Sequence, residues 1–147
     1  MEVIIRCGKV EDLSRLVAFL EKAGLGTDGV KDVIDYFLLM EDDHGELKAT
    51  VGIEPLGSCG LLRSLVMTPK ASESDLLILL EQMLLLARDK SLQSVYLATN
   101  KQASLHFFET MGFVEEEKSG LPTELQESEH VRHILSVDNS LFMKLSL

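Results

Sequence analysis

The chain has 147 residues, 46% of them hydrophobic, and a formal net charge of −10. Its length fits one domain, residues 1–147, and its hydrophobic content excludes a disordered chain. The excess of acids argues against nucleic acid and anionic membranes as partners, because both require clustered lysine and arginine. No apolar run reaches membrane-spanning length, the N-terminus lacks the pattern of a signal peptide, and the two cysteines form no ligand-spaced cluster. We therefore expect a reduced, cytoplasmic protein.

The first part of the chain alternates between strand and helix patterns. Alternating apolar residues indicate strands, and apolar residues three and four apart indicate an amphipathic helix. In chain order, the predicted elements are a strand at 2–7, a helix at 10–23 ended by Gly24 and Gly26, a second helix capped by Asp28 with Val30, Val33, Ile34 and Phe37 on one face, a turn at 42–45, a strand at 47–53 and a turn at 57–60.

The centre of the chain has the clearest pattern. Residues 61–67 are mostly apolar on both faces, which is typical of a strand in the middle of a covered sheet. Pro69 ends this strand, and Ser72 with Asp75 predicts an acidic capping box at the start of the next helix. That helix is predicted to run to about Lys90, with one narrow polar stripe. We expect it to be buried on most sides, against a sheet or a partner chain.

The last third of the chain continues the alternation. The predicted elements are a strand at 94–99, a helix at 101–111 capped by Gly112, a helix at 121–133 begun by Pro122, and a final strand at 141–147 with one wet face. Together with the earlier elements, this order predicts an α/β fold with a mixed central sheet and helices on both faces.

Two segments resemble the GNAT family of N-acetyltransferases. SVYLATNKQASLHFFETMGF, residues 94–113, resembles the family's late strand and the helix that ends in A-x-x-F-(Y/F)-E-x-x-G-F. GLLRSLVMTP, residues 60–69, resembles its central strand, which splays from its neighbour to admit the pantetheine arm of acetyl-CoA. GLPTELQESEHVRH, residues 120–133, looks like the branch of small-amine and amino-acid acetyltransferases. The similarity spans nearly the whole chain and implies a single GNAT-like domain with a splayed central strand.

The resemblance also implies a reaction and a set of cofactor contacts. The reaction is transfer of an acetyl group from acetyl-CoA to a small amine or amino acid, by direct attack in a ternary complex. Backbone groups of the central strand would hold the pantetheine arm, and amides at the next helix N-terminus would hold the pyrophosphate. The implied cofactor-binding residues are Leu65, Val66, Met67, Ser72, Glu73, Ser74, Asp75, Asn100 and Phe108.

The pyrophosphate loop departs from the family pattern R-x-x-G-x-G/A. Ser72 takes the place of the arginine, Glu73 and Asp75 take the places of the first two glycines, and Leu77 replaces a third. The two acids occupy the favourable end of the helix dipole and oppose a diphosphate, and Lys70 is the loop's cation. Several such terms weaken binding by about one or two orders of magnitude, at roughly 1.4 kcal/mol per tenfold. We therefore predict a degenerate loop at which acetyl-CoA binding is weak or lost.

The catalytic acid and base stay unassigned. Phe108 stands where many family members have a tyrosine that protonates the leaving thiolate, which phenylalanine cannot do. Tyr96 lies on the preceding strand and is not predicted to reach the cleft. Asn100 lies one residue ahead of the family's CoA-contacting asparagine, whose place Lys101 takes. Glu54 is a candidate base, although an exposed turn acid is the favoured interpretation.

Arg63 is the candidate substrate-binding residue. An arginine in an apolar strand is costly to bury unless it is paired. Two interpretations have equal weight, namely a bidentate grip on a substrate carboxylate, and a structural salt bridge or snorkelling side chain. Ser64 is predicted to point to the opposite face and to bond a backbone group.

The remaining polar and aromatic candidates favour structural roles. His130 and His133 are compatible with a metal but favour a solvated face, so no metal site is expected. His106 is expected at the surface, and Phe107, Phe108 and Phe113 in the core. Glu115, Glu116 and Glu117 are expected to be solvated or to attract a cationic substrate.

A second hypothesis comes from a different functional class. The chain keeps the GNAT fold, loses tight CoA binding and acts as a catalytically inactive binding or interaction module. The apolar helix from Leu76 to Ala87 would then be an interface, for example in a homodimer. The loop residues 72–75 discriminate between the two hypotheses.

Overall fold

A computed structural model of the chain describes residues 4–99, 102–135 and 140–147, apart from the side chains at positions 102, 103 and 130. The strands are β1 (Ile4–Cys7), β2 (Phe37–Glu41), β3 (Leu47–Leu56), β4 (Cys59–Met67), β5 (Ser94–Thr99), β6 (Val114–Glu116) and β7 (Leu141–Ser146). The helices are α1 (Leu13–Lys22), α2 (Glu73–Asp89), α3 (Gln102–Thr110), α4 (Thr123–Gln126) and α5 (Glu129–Leu135), with 3₁₀ segments at Val10–Asp12, Val30–Tyr36 and Lys118–Gly120.

The strands form one mixed sheet in the order β1-β2-β3-β4-β5-β7-β6. The pair β4–β5 is parallel, and the pairs β1–β2, β2–β3, β5–β7 and β6–β7 are antiparallel. The predicted α/β class with a mixed central sheet is therefore confirmed. Among the described residues, no helix combines the length and the apolar character needed to cross a bilayer.

The chain divides into two compact units by its internal contacts. The first unit comprises Met1–Glu54 and Arg63–Leu86, and the second unit comprises Pro55–Leu62 and Ala87–Leu147. Organisation as a single domain over residues 1–147 stays a prediction.

The first unit has its core under α1 and the antiparallel strands β1 to β3. α1 buries its apolar face as the helical spacing predicts, since Leu16 and Leu20 are fully buried. The core cluster consists of Leu16, Leu20, Val30, Ile34, Phe37 and Leu39, with Leu13, Val33, Leu47 and Val66 packed against it. Val66 thus links the far end of β4 to this core.

The predicted second helix is wrong in type and in length. Residues 30–36 form a 3₁₀ segment with a kink at Val33, and its N-cap is the left-handed Gly29 rather than Asp28. Phe37 begins β2, a strand that the sequence pattern does not predict. Residues 37–40 are all buried, and a short run that is apolar on both faces does not distinguish strand from helix. The predicted strand at 47–53 continues to residue 56, which shortens the predicted turn at 57–60.

The long helix α2 is confirmed, but its predicted environment is partly wrong. Its capping box forms as expected, with Ser72 N–H donating to Asp75 Oδ2 at 2.9 Å and Asp75 N–H donating to Ser72 Oγ at 3.1 Å. Asp75 is buried rather than part of a solvent stripe. The helix also has three exposed apolar side chains, Leu77 (41%), Ile78 (46%) and Leu85 (49%). It is therefore less enclosed than its composition predicts.

The second unit has its core between β5, β7 and the helices α4 and α5. The buried cluster consists of Cys59, Leu61, Tyr96, Leu121, Leu125, Val131 and Phe142. β5 and α3 lie where the sequence predicts them. The predicted helix at 121–133 is two short helices, because Ser128 Oγ accepts the N–H of Val131 at 3.4 Å and caps α5.

The C-terminal strands of the second unit correct two expectations. β6, a three-residue edge strand paired with β7, was not predicted because its acids read as a solvated run. β7 does not have one wet face, since Phe142 and Met143 are adjacent and both fully buried. β7 lies between β5 and β6 in the sheet, so the central residues of β7 are buried even where its alternation of apolar and polar residues predicts exposure.

Candidate functional site

β4 runs from Cys59 to Met67 and has an irregular backbone angle at Ser64. Ser64 adopts a left-handed φ of +56°, which a non-glycine residue takes only when its surroundings impose it. The buried Thr50 on β3 donates from Oγ1 to the Ser64 carbonyl at 3.1 Å. The alternation of side chains is broken here, because Arg63 Nε donates to Ser64 Oγ at 3.3 Å. The prediction that the two side chains point to opposite faces is therefore wrong.

The parallel ladder between β4 and β5 is short. It pairs Cys59 with Ser94, Gly60 with Val95 and Leu61 with Tyr96, while β4 itself continues to Met67. The half-buried residues 65–67, which are predicted to contact the cofactor through their backbone, lie in this continuation. Their role stays a prediction.

Arg63 has contacts only with neutral groups in the described part of the chain. Besides Ser64 Oγ, its Nη1 donates to the Asp28 carbonyl at 3.2 Å. Its guanidinium carbon lies 5.8 Å from the centroid of the Phe37 ring, within the range of a cation–π contact. The structure therefore shows no salt bridge between Arg63 and a described acid. Of the structural interpretation, the snorkelling side chain remains beside the grip on a substrate carboxylate.

The loop between β4 and α2 is fixed at its start to β3. Thr68 donates from its N–H and from Oγ1 to the Lys48 carbonyl, at 3.1 and 2.8 Å. Ala71 N–H donates to the Thr68 carbonyl at 2.9 Å, which closes a turn that contains Pro69. This turn delivers Ser72 to the N-cap position of α2. The loop is thus ordered by hydrogen bonds that need no glycine.

Asp75 is an internally compensated acid. Lys48 Nζ lies 2.9 Å from Asp75 Oδ2, and both side chains are largely buried, at 12% and 13% exposure. The Ser72 N–H and then the Lys48 ammonium hold the pKa of Asp75 below its usual range. The expectation that Asp75 opposes a diphosphate with a free charge is therefore wrong. No short-range sequence pattern signals Lys48 as its partner, since the two residues lie on different elements.

The other charges of this loop are exposed. Lys70, with 64% of its side chain exposed, lies 3.6 Å from carboxylate oxygens of both Asp42 and Glu46. Glu73 is exposed and forms no ion pair with the described residues. The amides of Glu73 and Ser74 have no hydrogen-bond acceptor among the described residues, whereas Leu76 N–H donates to the Ser72 carbonyl. The first turn of α2 therefore keeps two backbone donors for an anion.

In the second unit, Phe108 and Tyr96 are core residues. The Phe108 ring makes edge contacts with Phe107 and Phe113, at centroid distances of 5.4 and 5.6 Å. Tyr96 is 2% exposed, and burial raises the pKa of its hydroxyl. The expected core positions of Phe108 and Phe113 and the surface position of His106 are confirmed.

The remaining candidates form no second chemical centre within the part of the chain that the structure describes. Glu54 lies half-buried within β3, so its interpretation as an exposed turn acid is wrong. Residues 115–117 line a cavity of about 470 Å³ in the second unit, together with Lys118, Ser119, Ser140, Leu141 and Phe142. Asn100 and the side chain of His130 lie outside the described residues. Across those that are described, no group of acids, histidines and cysteines has the arrangement of a metal site.

One curated protein matches the chain over most of its length. It is the uncharacterised protein YwlB of Bacillus subtilis, which is 33% identical over 142 residues, or 95% of each chain. No protein-family model matches the sequence.

Several solved structures with the same fold are acetyltransferases or were solved with coenzyme A. Rv2747 from Mycobacterium tuberculosis, solved in complex with CoA, has a TM-score of 0.77 at 18% identity and covers 98% of this chain and 99% of its own. A GNAT-family acetyltransferase from Staphylococcus aureus has a TM-score of 0.73 at 16% identity, with 99% of both chains covered. N-acetylglutamate synthase from Neisseria gonorrhoeae, complexed with coenzyme A and N-acetyl-glutamate, has a TM-score of 0.77 at 20% identity. The match covers all of this chain but 35% of that one.

Proposed function

The chain belongs to the family that includes YwlB and has the GNAT fold, and we propose that it transfers an acetyl group from acetyl-CoA to a small amine or amino acid. The observation that carries this proposal lies in the first unit. The strand β4, which contains the left-handed Ser64, leads through a hydrogen-bonded turn into the N-terminus of α2, where the amides of Glu73 and Ser74 have no acceptor among the described residues. A strand that turns into such a helix end is suited to a phosphate-bearing ligand.

The residues present fit acetyl-CoA better than the loop sequence predicts. Of the two acids expected to repel a diphosphate, Asp75 is balanced by Lys48 and only Glu73 keeps an exposed, uncompensated charge among the described residues of the loop. One opposed charge at about 4 Å costs about 1 kcal/mol in water, or less than about tenfold in affinity. Lys70 adds an exposed cation at the same turn. We therefore propose that acetyl-CoA binding is retained in moderately weakened form.

Each part of this site has a proposed task. Backbone groups of Leu65, Val66 and Met67 hold the pantetheine arm, and their N–H groups polarise the carbonyl that is attacked. The amides of Glu73 and Ser74, with Lys70, hold the pyrophosphate. Acetyl-CoA, when bound, would supply the thioester, and Phe108 has no proton to donate to the departing thiolate. The acceptor amine must lose a proton before it attacks, to water or to a carboxylate that is not yet assigned.

An amino acid is among the proposed acceptors for a reason outside the cofactor loop. The neisserial synthase that shares this fold is solved with N-acetyl-glutamate beside coenzyme A. This observation concerns that protein, and it supports testing amino acids together with simple amines.

Calorimetric titration with acetyl-CoA at moderate salt tests the proposal. We expect the wild type to bind acetyl-CoA with a micromolar dissociation constant. Glu73→Gln should bind about three- to tenfold more tightly, because the opposing charge is removed. The matched control is Glu81→Gln, an exposed acid farther along α2, which should leave affinity unchanged. Absence of binding at millimolar acetyl-CoA in both the wild type and Glu73→Gln would refute the proposal.

The exposed apolar side chains of α2 favour a second candidate function, an interaction module. Leu77, Ile78 and Leu85 lie on the outer face of one helix of a strongly acidic protein. Sedimentation velocity of the wild type and of a Leu77→Ser, Leu85→Ser double variant tests this candidate. Self-association that the double variant abolishes would support it, and a monomer at every concentration would exclude a homodimer.

A further inference from the structure

Arg63 is an arginine without an acidic partner among the described residues of a protein rich in acids. The chain has 24 aspartates and glutamates against 14 lysines and arginines. Arg6 and Arg15 both pair with carboxylates. The contacts of Arg63 are instead a hydroxyl, a backbone carbonyl and an aromatic ring. A half-buried guanidinium in this setting keeps its full positive charge available to a ligand.

The orientation of this guanidinium is fixed from three sides. Ser64 holds Nε, the carbonyl of Asp28 holds Nη1, and the buried ring of Phe37 lies beneath the guanidinium carbon. The Phe37 ring packs directly against Gly52 of β3, since a methyl group added at Gly52 would lie only 2.5 Å from the ring. The ring therefore cannot move toward β3. Arg63 is thus positioned before any ligand arrives, which reduces the entropy lost on binding.

The free donors of Arg63 match a carboxylate. A guanidinium has five N–H donors, and the two contacts above engage one on Nε and one on Nη1. The remaining donors lie at the Nη1–Nη2 end, the fork that binds both oxygens of a carboxylate. Partial burial strengthens such a pair relative to one in open water.

The position of Arg63 along β4 separates this anion site from the pyrophosphate loop. Arg63 lies four residues before the end of β4, or about 13 Å along a strand. It is adjacent to Ser64, after which the amides proposed to contact the thioester begin. A carboxylate bound by Arg63 therefore lies near the proposed reacting end of the cofactor, where the acceptor must be.

We propose that Arg63 binds a carboxylate of the acceptor, so that the protein acetylates amino acids in preference to amines that lack an acid group. This inference rests on the proposed acetyl transfer. Arg63 acts in it as a substrate-binding residue, and Ser64 and Phe37 act as positioning residues. The amine nitrogen of the acceptor attacks the thioester carbonyl, the carbon–sulfur bond breaks, and the amine proton passes to solvent or base.

The test compares acceptors that differ only in the acid group. The probes are the twenty standard amino acids, their carboxamides, and phenethylamine as an amine without either group. Release of free CoA gives kcat/KM for each. We expect the wild type to prefer an acid over its amide by about 30- to 100-fold, as for a charge-assisted bidentate pair. Arg63→Ala should remove this preference, and Arg63→Lys should retain a part of it.

Two controls separate failure of this inference from failure of the proposed function. Arg88→Ala, which removes an exposed arginine on α2, should behave as the wild type. Arg63→Ala should bind acetyl-CoA within about threefold of the wild type, because its role is on the acceptor. If no variant binds acetyl-CoA, the proposed function fails, and calorimetry with the amino acids and amides alone still tests Arg63.

Three results would overturn the assignment of Arg63. One is an acid-over-amide preference that persists in Arg63→Ala. Another is transfer to phenethylamine or to amides at the rate of the acids in the wild type. The third is absence of both transfer to and binding of every amino acid. Arg63→Lys keeps the positive charge and most of the packing, so these comparisons remain valid if Arg63→Ala is poorly folded.

Discussion

Two arginine sites of the first unit use the same side chain in opposite ways. Arg6 donates from its two terminal nitrogens to the two carboxylate oxygens of Asp12, at 2.8 and 2.7 Å, and from Nε to Glu41 at 3.1 Å. Arg15 donates to Glu41 at 2.7 Å and to Asp12 at 3.2 Å. We call these four residues the closed network, because its charges cancel. The guanidinium of Arg63 has only neutral partners among the described residues, so no described carboxylate cancels its charge.

The charge of an arginine's hydrogen-bond partners indicates whether the arginine stabilises the fold or is available to bind a ligand. In the closed network every charge joins two elements, since β1, α1, β2 and the 3₁₀ segment at 10–12 each contribute one residue. Removing either arginine leaves Asp12 and Glu41, which are 9% and 12% exposed, with fewer partners. At Arg63 no described carboxylate would be left unpaired, so its removal should cost function and little stability.

The largest effect should come from opening the closed network. Arg6→Ala deprives the nearly buried Asp12 of a bidentate partner, so we expect the free energy of unfolding to fall by about 3 kcal/mol, the low end for a broken buried pair. Arg63→Ala should cost less than about 1 kcal/mol. Urea unfolding of both variants, with Arg88→Ala as the exposed control, measures the contrast. Equal losses in Arg6→Ala and Arg63→Ala would remove the distinction between the two sites.

A pH series sharpens the same comparison. Hydrogen bonds from Arg6 hold the pKa of Asp12 below its usual range. Burial alone would raise the pKa of Glu41, but hydrogen bonds from Arg6 and Arg15 outweigh burial, so this pKa is lowered as well. Both carboxylates therefore bind protons more readily in the unfolded chain, whose values are about 4. Their contribution is complete above about pH 5 and is lost as the pH falls toward the lowered folded values.

The measurement is urea unfolding between pH 7 and pH 2. The stability difference between the wild type and Arg6→Ala should shrink steadily below about pH 4, because protonated acids no longer need the arginine. The difference between the wild type and Arg63→Ala should stay constant, since Arg63 faces no described carboxylate. A constant Arg6→Ala difference down to pH 2 would contradict the paired state of Asp12 and Glu41.

The Lys48–Asp75 pair is a smaller closed site, at the proposed cofactor loop. Lys48→Met should lower stability by about 2 kcal/mol, less than a fully buried broken pair, because Asp75 keeps the Ser72 amide and the positive end of α2. Lys70→Met should cost at most about 0.5 kcal/mol, as its contacts are exposed and long. Thermal unfolding compares the two. In acetyl-CoA titrations, both substitutions should weaken binding, Lys70→Met by direct loss of a cation and Lys48→Met by uncovering Asp75.

Gly52→Ala disturbs Arg63 without touching it. An added methyl group would lie 2.5–2.8 Å from the Phe37 ring, so the ring must shift, at a cost of about 1–2 kcal/mol in stability. Since the ring supports the guanidinium, the preference for acids over amides should also fall. Gly26→Ala is the matched control, because nothing lies within 4 Å of the added atom. If Gly52→Ala keeps the wild-type acceptor preference, Phe37 has no positioning role.

Sequence patterns predicted the elements whose causes are local. The Ser72–Asp75 capping box, the amphipathic α1 and the strand β5 follow from spacing within a few residues, and each lies where it was predicted. The charge state of the loop did not follow, because the partner of Asp75 is Lys48, 27 positions earlier in the chain. β2 was missed since a run buried on both faces has no period to detect.

The candidate site shows the same limit. The choice of Arg63 came from the anomaly of a charge in an apolar strand, which is visible in sequence. The neutral contacts of Arg63 are not visible in the sequence, because Asp28 and Phe37 lie about 30 positions away. The left-handed φ of Ser64 is not visible either, because no residue type other than glycine favours it. The left-handed Ser64 departs from local preference at the place where function is proposed, which is where such departures are expected.

Substitution of Ser64 should change stability little and should change function selectively. Ser64→Gly relieves the cost of a left-handed φ, of order 1 kcal/mol, but loses a weak bond and adds backbone freedom, so stability should change by less than about 1 kcal/mol. Ser64→Ala keeps the strain and loses the bond, and should be slightly less stable than Ser64→Gly. Both variants release Nε of Arg63, so both should raise KM for an amino acid with little change in acetyl-CoA affinity. A drop in kcat without a change in KM would instead place Ser64 with the amides that contact the thioester, and would assign the strain at this residue to the cofactor rather than to the acceptor.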